Sequence, residues 1–76
     1  MSTKLKNILA NKKVKIKLDK KYPDWVSLAT HIAMQLSAYN FTSEESDILN
    51  TYILEKPAYY TSNKSIRNYY KRLFNN

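Results

Sequence analysis

The stretch WVSLATHIAMQLSAY, residues 25–39, sets Trp25, Leu28, Ile32, Leu36 and Tyr39 at steps of three, four, four and three. That spacing is one stripe of an α-helix and predicts a helix from about 24 to 39. Val26, Ala29, Ala33, Met34 and Ala38 widen the stripe until little polar surface remains, so this helix is expected at the centre, touched on most sides. The small Ala29, Ala33 and Ala38 would permit close approach of another helix or of a second copy. Ser27, Thr30, His31, Gln35 and Ser37 interrupt the apolar run, which falls short of the ~20 apolar residues of a membrane span. His31 has no Cys, Asp or Glu at ligand spacing and reads as a partly buried structural residue.

Downstream, Thr42 and Glu45 fit a capping box, with Ser43 as a competing cap, and Glu44, Glu45 and Asp47 place negative charge where a helix dipole favours it. A second helix is therefore expected from about 43. Its buried face is Ile48, Leu49, Tyr52 and Ile53, and Lys56-Pro57 ends it. After Ala58-Tyr59-Tyr60, Thr61 or Ser62 caps a third helix running to about Phe74. Ile66, Tyr70, Leu73 and Phe74 form its apolar side; Lys64, Arg67, Asn68, Lys71 and Arg72 project elsewhere.

Upstream, residues 3 to 12 read as a short basic helix with Leu5, Ile8 and Leu9 on one side. Lys13-Val14-Lys15-Ile16-Lys17-Leu18 then alternates strictly between charged and β-favouring residues, the period of a strand with one wet face. A lone strand needs a partner. The fold class is thus mainly all-α: a three- to four-helix domain, helix-turn-helix-like over 43–74, with a basic N-terminal arm or short β-strand at about 13–18. Residues 1–76 form one domain, with 1–21 as arm and 22–76 as helical core.

The 76 residues contain no Gly, no Cys and one His. A chain of this length buries roughly 60% of its unfolded surface, and with no disulfide or thiolate zinc to help, a homodimer or partner surface is the cheapest further source of burial. Without glycine, tight hairpins and glycine-rich phosphate loops are disfavoured, and Asn40 and Asn63 are placed to take any left-handed positions. Nucleophilic, metal and phosphoryl-transfer chemistries lack their usual parts, so no enzyme, cofactor or metal is expected. With no apolar core for a signal peptide after the basic N-terminus, the chain reads as cytoplasmic.

Charge is sorted along the chain. Residues 1–21 carry eight Lys and one Asp, residues 22–55 carry five acids and no Lys or Arg, and residues 56–76 carry five bases and no acid, for a net +7. Such a balance speaks of partners rather than of fold. Lys12, Lys13, Lys15, Lys17, Lys64, Arg67, Asn68, Lys71 and Arg72 are the candidate nucleic-acid contacts, Arg and Asn toward bases and the lysines toward phosphates. The simpler reading of the third helix is a solvated basic face over the core. Tyr59, Tyr60, Tyr69 and Phe74 are candidate interface residues, the tyrosines suited to stack on bases or to anchor a protein.

Strand, helix and capped helix is also the order of the ribbon-helix-helix repressors. Val14-Lys15-Ile16-Lys17-Leu18-Asp19 is similar to their ribbon, and Thr42-Ser43 to Ile53 is similar to their capped second helix. The resemblance implies paired N-terminal strands of two chains reading a major groove. Against it, the first helix is several residues too long, the glycine usual between the helices is missing and a further helix follows. The function expected from the whole sequence is a small, non-enzymatic nucleic-acid-binding protein, DNA favoured over RNA and regulatory in type. The alternative is an interaction module or inhibitor that docks on a larger acidic protein.

Overall fold

The computed structural model describes residues 3–74, which form four α-helices: α1 (Thr3–Asn11), α2 (Trp25–Leu36), α3 (Ser43–Asn50) and α4 (Asn63–Phe74). The capping box reads true, since the Glu45 amide donates to Thr42 Oγ1 at 3.1 Å and the Thr42 amide to Glu45 Oε1 at 2.9 Å. Ser62 starts α4 by accepting the Ser65 amide at 3.2 Å. Asp24, which the pattern of apolar residues does not single out, caps α2 by accepting the Ser27 amide at 3.3 Å.

One core joins all four helices. Leu5 and Ile8 of α1, Leu28, Ile32 and Leu36 of α2, Leu49 of α3 and Ile66, Tyr70 and Leu73 of α4 are buried together. Each such aliphatic side chain contributes about 1.5–3 kcal/mol. Helix α1 packs on α3 and α4 on α2, within principal extents of 30 × 22 × 21 Å. None of the helices among the described residues is long and apolar enough to cross a membrane.

Three expectations are corrected. Helix α2 is not enclosed: Leu28, Ala29, Ile32 and Leu36 face the core, while Val26 is 53% and Met34 68% exposed, and Thr30, Ala33, Ser37 and Ala38 also face outward. Thr30 and Ser37 turn their hydroxyls back onto the Val26 and Met34 carbonyls, at 2.9 and 2.6 Å, so the outer face carries no charge and few free donors. The second helix, expected to run from about 43 to Lys56-Pro57, is α-helical only to Asn50. It continues as a π turn (Thr51–Glu55), closed by the Lys56 amide on the Thr51 carbonyl at 2.9 Å, and a 3-10 turn (Pro57–Tyr59). Pro57 has no N–H to give the Ile53 carbonyl, as an α-helix would require, and the buried Tyr70 hydroxyl donates to that carbonyl instead at 2.6 Å. The chain between α3 and α4 is therefore longer than the tight turn of a helix-turn-helix.

The third correction concerns the left-handed position. Neither Asn40 nor Asn63 takes it; among the described residues only Lys13 has a positive φ, 52°. Lys13 ends α1 in a Schellman motif: the Val14 amide reaches the Leu9 carbonyl at 3.0 Å and the Lys13 amide the Ala10 carbonyl at 3.2 Å. Leu9 and Val14 both pack against the core. Asn63 instead accepts the Trp25 amide on its side-chain oxygen at 3.3 Å, joining the starts of α2 and α4. A Cβ in the left-handed region costs about 1–2 kcal/mol, and the extra freedom of glycine in the unfolded chain offsets about 0.4–1 kcal/mol of that. Lys13→Gly is therefore expected to raise the melting temperature by a few degrees, about 4–8 °C per kcal/mol of net gain in a domain of this size. Thermal unfolding followed by circular dichroism measures it, and a fall would mean that unfolded-chain entropy, or an interaction of the Lys13 side chain, outweighs the relief.

Candidate nucleic-acid interface

After the left-handed Lys13, the rest of the alternating segment, 14–18, forms no strand among the described residues; of the two forms expected for it, it takes that of an arm. Side chains of the α2 region stand in for the missing neighbour. Gln35 accepts the Lys17 amide at 2.8 Å and donates to the Lys17 carbonyl at 2.7 Å. Two residues back along the arm, the Tyr39 hydroxyl accepts the Lys15 amide at 2.9 Å and lies 3.4 Å from the Lys15 carbonyl. One carboxamide and one phenol thus reproduce alternate rungs of a ladder, Ile16 is buried, and Lys13, Lys15 and Lys17 point outward. The ribbon implied by the repressor resemblance would join two chains; within this one, the backbone groups of Lys15 and Lys17 are taken by Tyr39 and Gln35.

Holding the arm there brings the two basic ends of the sequence together. Lys15 and Lys17 line a cleft of about 460 Å³ with Lys71 of α4. Lys15 also borders a second cleft, about 590 Å³, with Lys6 and Lys13 around the end of α4 at Leu73 and Phe74. Lys6 and Leu73 are shared in turn with a third, about 450 Å³, whose other walls are Tyr52, Lys56, Tyr60, Tyr69 and Arg72. The three are contiguous. Among the described residues they form a track lined by seven cations, Lys17, Lys71, Lys15, Lys13, Lys6, Arg72 and Lys56, and by no carboxylate side chain.

Several acids are engaged elsewhere. Glu45 and Asp24 cap helices, and Glu44 lies 3.4 Å from Lys4. Asp19 accepts the Lys21 amide at 3.1 Å, and that backbone bond, more than the nearby charges, holds its exposed carboxyl below the usual value. Among the described residues no three His, Cys, Asp or Glu side chains gather as a metal site would need. His31 is half-buried and stacked on Tyr22, ring centroids 4.6 Å apart, as its reading as a structural residue implies.

Of the nine candidate nucleic-acid contacts, Lys13, Lys15, Lys17, Lys71 and Arg72 lie on the track. Lys64 and Asn68 are exposed on α4 beyond it, two turns and one turn before Lys71. Two have structural bonds. The Lys12 ammonium donates to the Asn40 carbonyl at 2.7 Å, and the half-buried Arg67 guanidinium clasps the carbonyls of Tyr22 and, at 3.4 Å, Asp19. Arg67 thereby fastens the turn between arm and α2 to α4 rather than extending into solvent.

Lys6 and Lys56 are track residues that the sequence does not distinguish. Lys6 sits among other lysines in a short helix, and Lys56 has the local role of a charge complementing a helix end. The π turn places Lys56 over the Tyr52 ring, 4.2 Å from its centroid, a cation–π contact.

The four aromatic candidates separate. Tyr59 is 89% exposed and apart from the track, and Phe74 is half-buried beside Leu73. Tyr60 and Tyr69 face each other across 5.4 Å at 43°, with Tyr70 a further 5.8 Å beyond Tyr69. Burial, reinforced by Tyr60 and Tyr52 and opposed by Arg72, pushes the Tyr69 hydroxyl up to about 12, so it is neutral at physiological pH. That hydroxyl is shielded from solvent and has no hydrogen-bond partner. No protein-family model, curated protein or solved structure matches this chain.

Proposed function

We propose that this is a small, non-enzymatic nucleic-acid-binding protein, regulatory in type and acting in the cytoplasm on DNA in preference to RNA. The observation that carries the reading is the track of seven cations, with no carboxylate side chain among the described residues that line it. A polyanion laid along it displaces counterions, and the lysines, being point charges on flexible stems, favour phosphates over base edges. Arg67, the residue best suited by type to read guanine, is engaged with backbone carbonyls. Affinity therefore comes mainly from the backbone of the nucleic acid, and sequence discrimination is low.

Binding of labelled DNA, followed by fluorescence anisotropy, is expected to weaken steeply with salt. The double variant Lys15→Ala with Lys71→Ala removes two charges that line one cleft; each phosphate thereby deprived of its cation should lower the slope of log K against log salt by about one. Lys4→Ala, off the track beside Glu44, serves as the control and leaves the slope unchanged. Absence of salt-sensitive binding at low ionic strength, or an equal effect of Lys4→Ala, would exclude the reading.

A protein partner is the second reading, favoured by the exposure of Tyr59 and of the uncharged outer face of α2. Such a partner would be retained from cell extract after nuclease treatment, whereas nucleic-acid-bridged partners would disappear.

A further inference from the structure

The cleft between α1, the π turn and α4 differs in kind from the rest of the track. Tyr52, Tyr60 and Tyr69 form its walls and Lys6, Lys56 and Arg72 its charges, and its volume of about 450 Å³ falls within the ~300–1,000 Å³ of small-molecule sites. Phosphates alone have no use for aromatic walls, and the bases of an intact duplex are stacked out of reach of them. An unpaired base has a π-face for a tyrosine ring. The cleft offers such a ring in Tyr60, which is 39% exposed.

We propose, building on the nucleic-acid reading above, that this cleft accepts one unpaired base of a single strand, stacked on Tyr60. Its flanking phosphates lie on Lys6, Lys56 and Arg72. The ligand class is then single-stranded nucleic acid, and the remaining track carries the strand's backbone toward Lys17 and Lys71. The cation–π contact keeps the Lys56 ammonium at the rim of the cleft, 4.2 Å from the Tyr52 ring, before any ligand arrives.

The test compares a labelled single strand of about 12 nucleotides, within the span typical of single-strand sites, with its matched duplex at low salt. The single strand is expected to bind more tightly. Tyr60→Ala should weaken the single strand about tenfold, the usual order for removal of a stacking platform, and leave the duplex unchanged. Tyr69→Phe, nearly isosteric, should leave single-strand binding unchanged while raising the melting temperature, because the unpaired hydroxyl has been removed from the folded state. Tyr59→Ala, outside the cleft, is the control. Equal affinity for strand and duplex, with Tyr60→Ala without effect, would overturn this inference and leave the basic track standing; no salt-sensitive binding of either form would overturn both.

Discussion

Tyr70→Phe is expected to lower the unfolding free energy by about 1–3 kcal/mol, the cost of leaving a buried polar group unpaired. The reason lies in a carbonyl 17 residues away in sequence. Pro57 cannot donate to the Ile53 carbonyl, the Tyr70 hydroxyl does so at 2.6 Å, and removing one oxygen atom leaves that carbonyl inside the core without a partner. Tyr70→Ala adds a cavity where the side chain is 0% exposed, and about 3–5 kcal/mol for the cavity on top of the orphaned carbonyl brings the loss to about 4–8 kcal/mol, most of the stability of a chain this size, about 4–11 kcal/mol. Urea denaturation separates the two variants: Phe shifts the midpoint, Ala abolishes the folded baseline. A Phe variant as stable as the parent would mean that the Ile53 carbonyl finds another donor.

That hydrogen bond also marks where the sequence stops being readable. The four helices, the capping box at Thr42 and Glu45 and the start of α4 at Ser62 follow from periodicity and from side chains that cap their own neighbours. The π turn does not. It depends on a proline, a carbonyl and a phenol brought together only when α4 folds onto α3, and no local pattern records such a meeting. The same applies to the site. Lys13, Lys15, Lys17, Lys71 and Arg72 lie on the track because basic residues are solvent-seeking wherever they fall. Lys12 and Arg67 do not, because each found a backbone carbonyl far away in sequence. Lys6 and Lys56 complete the track through the packing of α1 beside α4.

Gln35→Leu is the second substitution with a large expected effect. It keeps the size of the side chain and removes both bonds to Lys17, so stability falls by about 1–3 kcal/mol for two hydrogen bonds at the edge of the core. Amide exchange at Lys17 accelerates sharply, whereas Lys15, still held by Tyr39, changes less. Because Lys15 and Lys17 are no longer kept beside Lys71, nucleic-acid affinity drops and its salt dependence becomes shallower. Gln35→Glu separates the roles of the carboxamide: it still accepts the Lys17 amide but faces the Lys17 carbonyl with an acceptor, so only half the fastening is removed. Unchanged exchange at Lys17 in Gln35→Leu would show that Ile16 burial and the Tyr39 bond to Lys15 hold the arm without Gln35.

The strand-like alternation of 13–18 is legible in the sequence, and its partner is not. A period of two tells which side chains turn inward; it is silent on what supplies the hydrogen bonds. Here a glutamine and a tyrosine one helical turn apart supply them, so the segment needs no second copy to satisfy the groups that face α2.

The solitary left-handed residue also bears on the denatured chain. At average usage a protein of this length would contain about five glycines, and this one contains none. Each glycine replaced by a residue with a Cβ narrows the unfolded ensemble and leaves about 0.4–1 kcal/mol less entropy to lose on folding. Every turn except the one at Lys13 is made among the described residues without positive φ. A thin core can therefore suffice because the disordered chain is already restricted, and stability rests as much on the freedom the chain never had as on the contacts it makes.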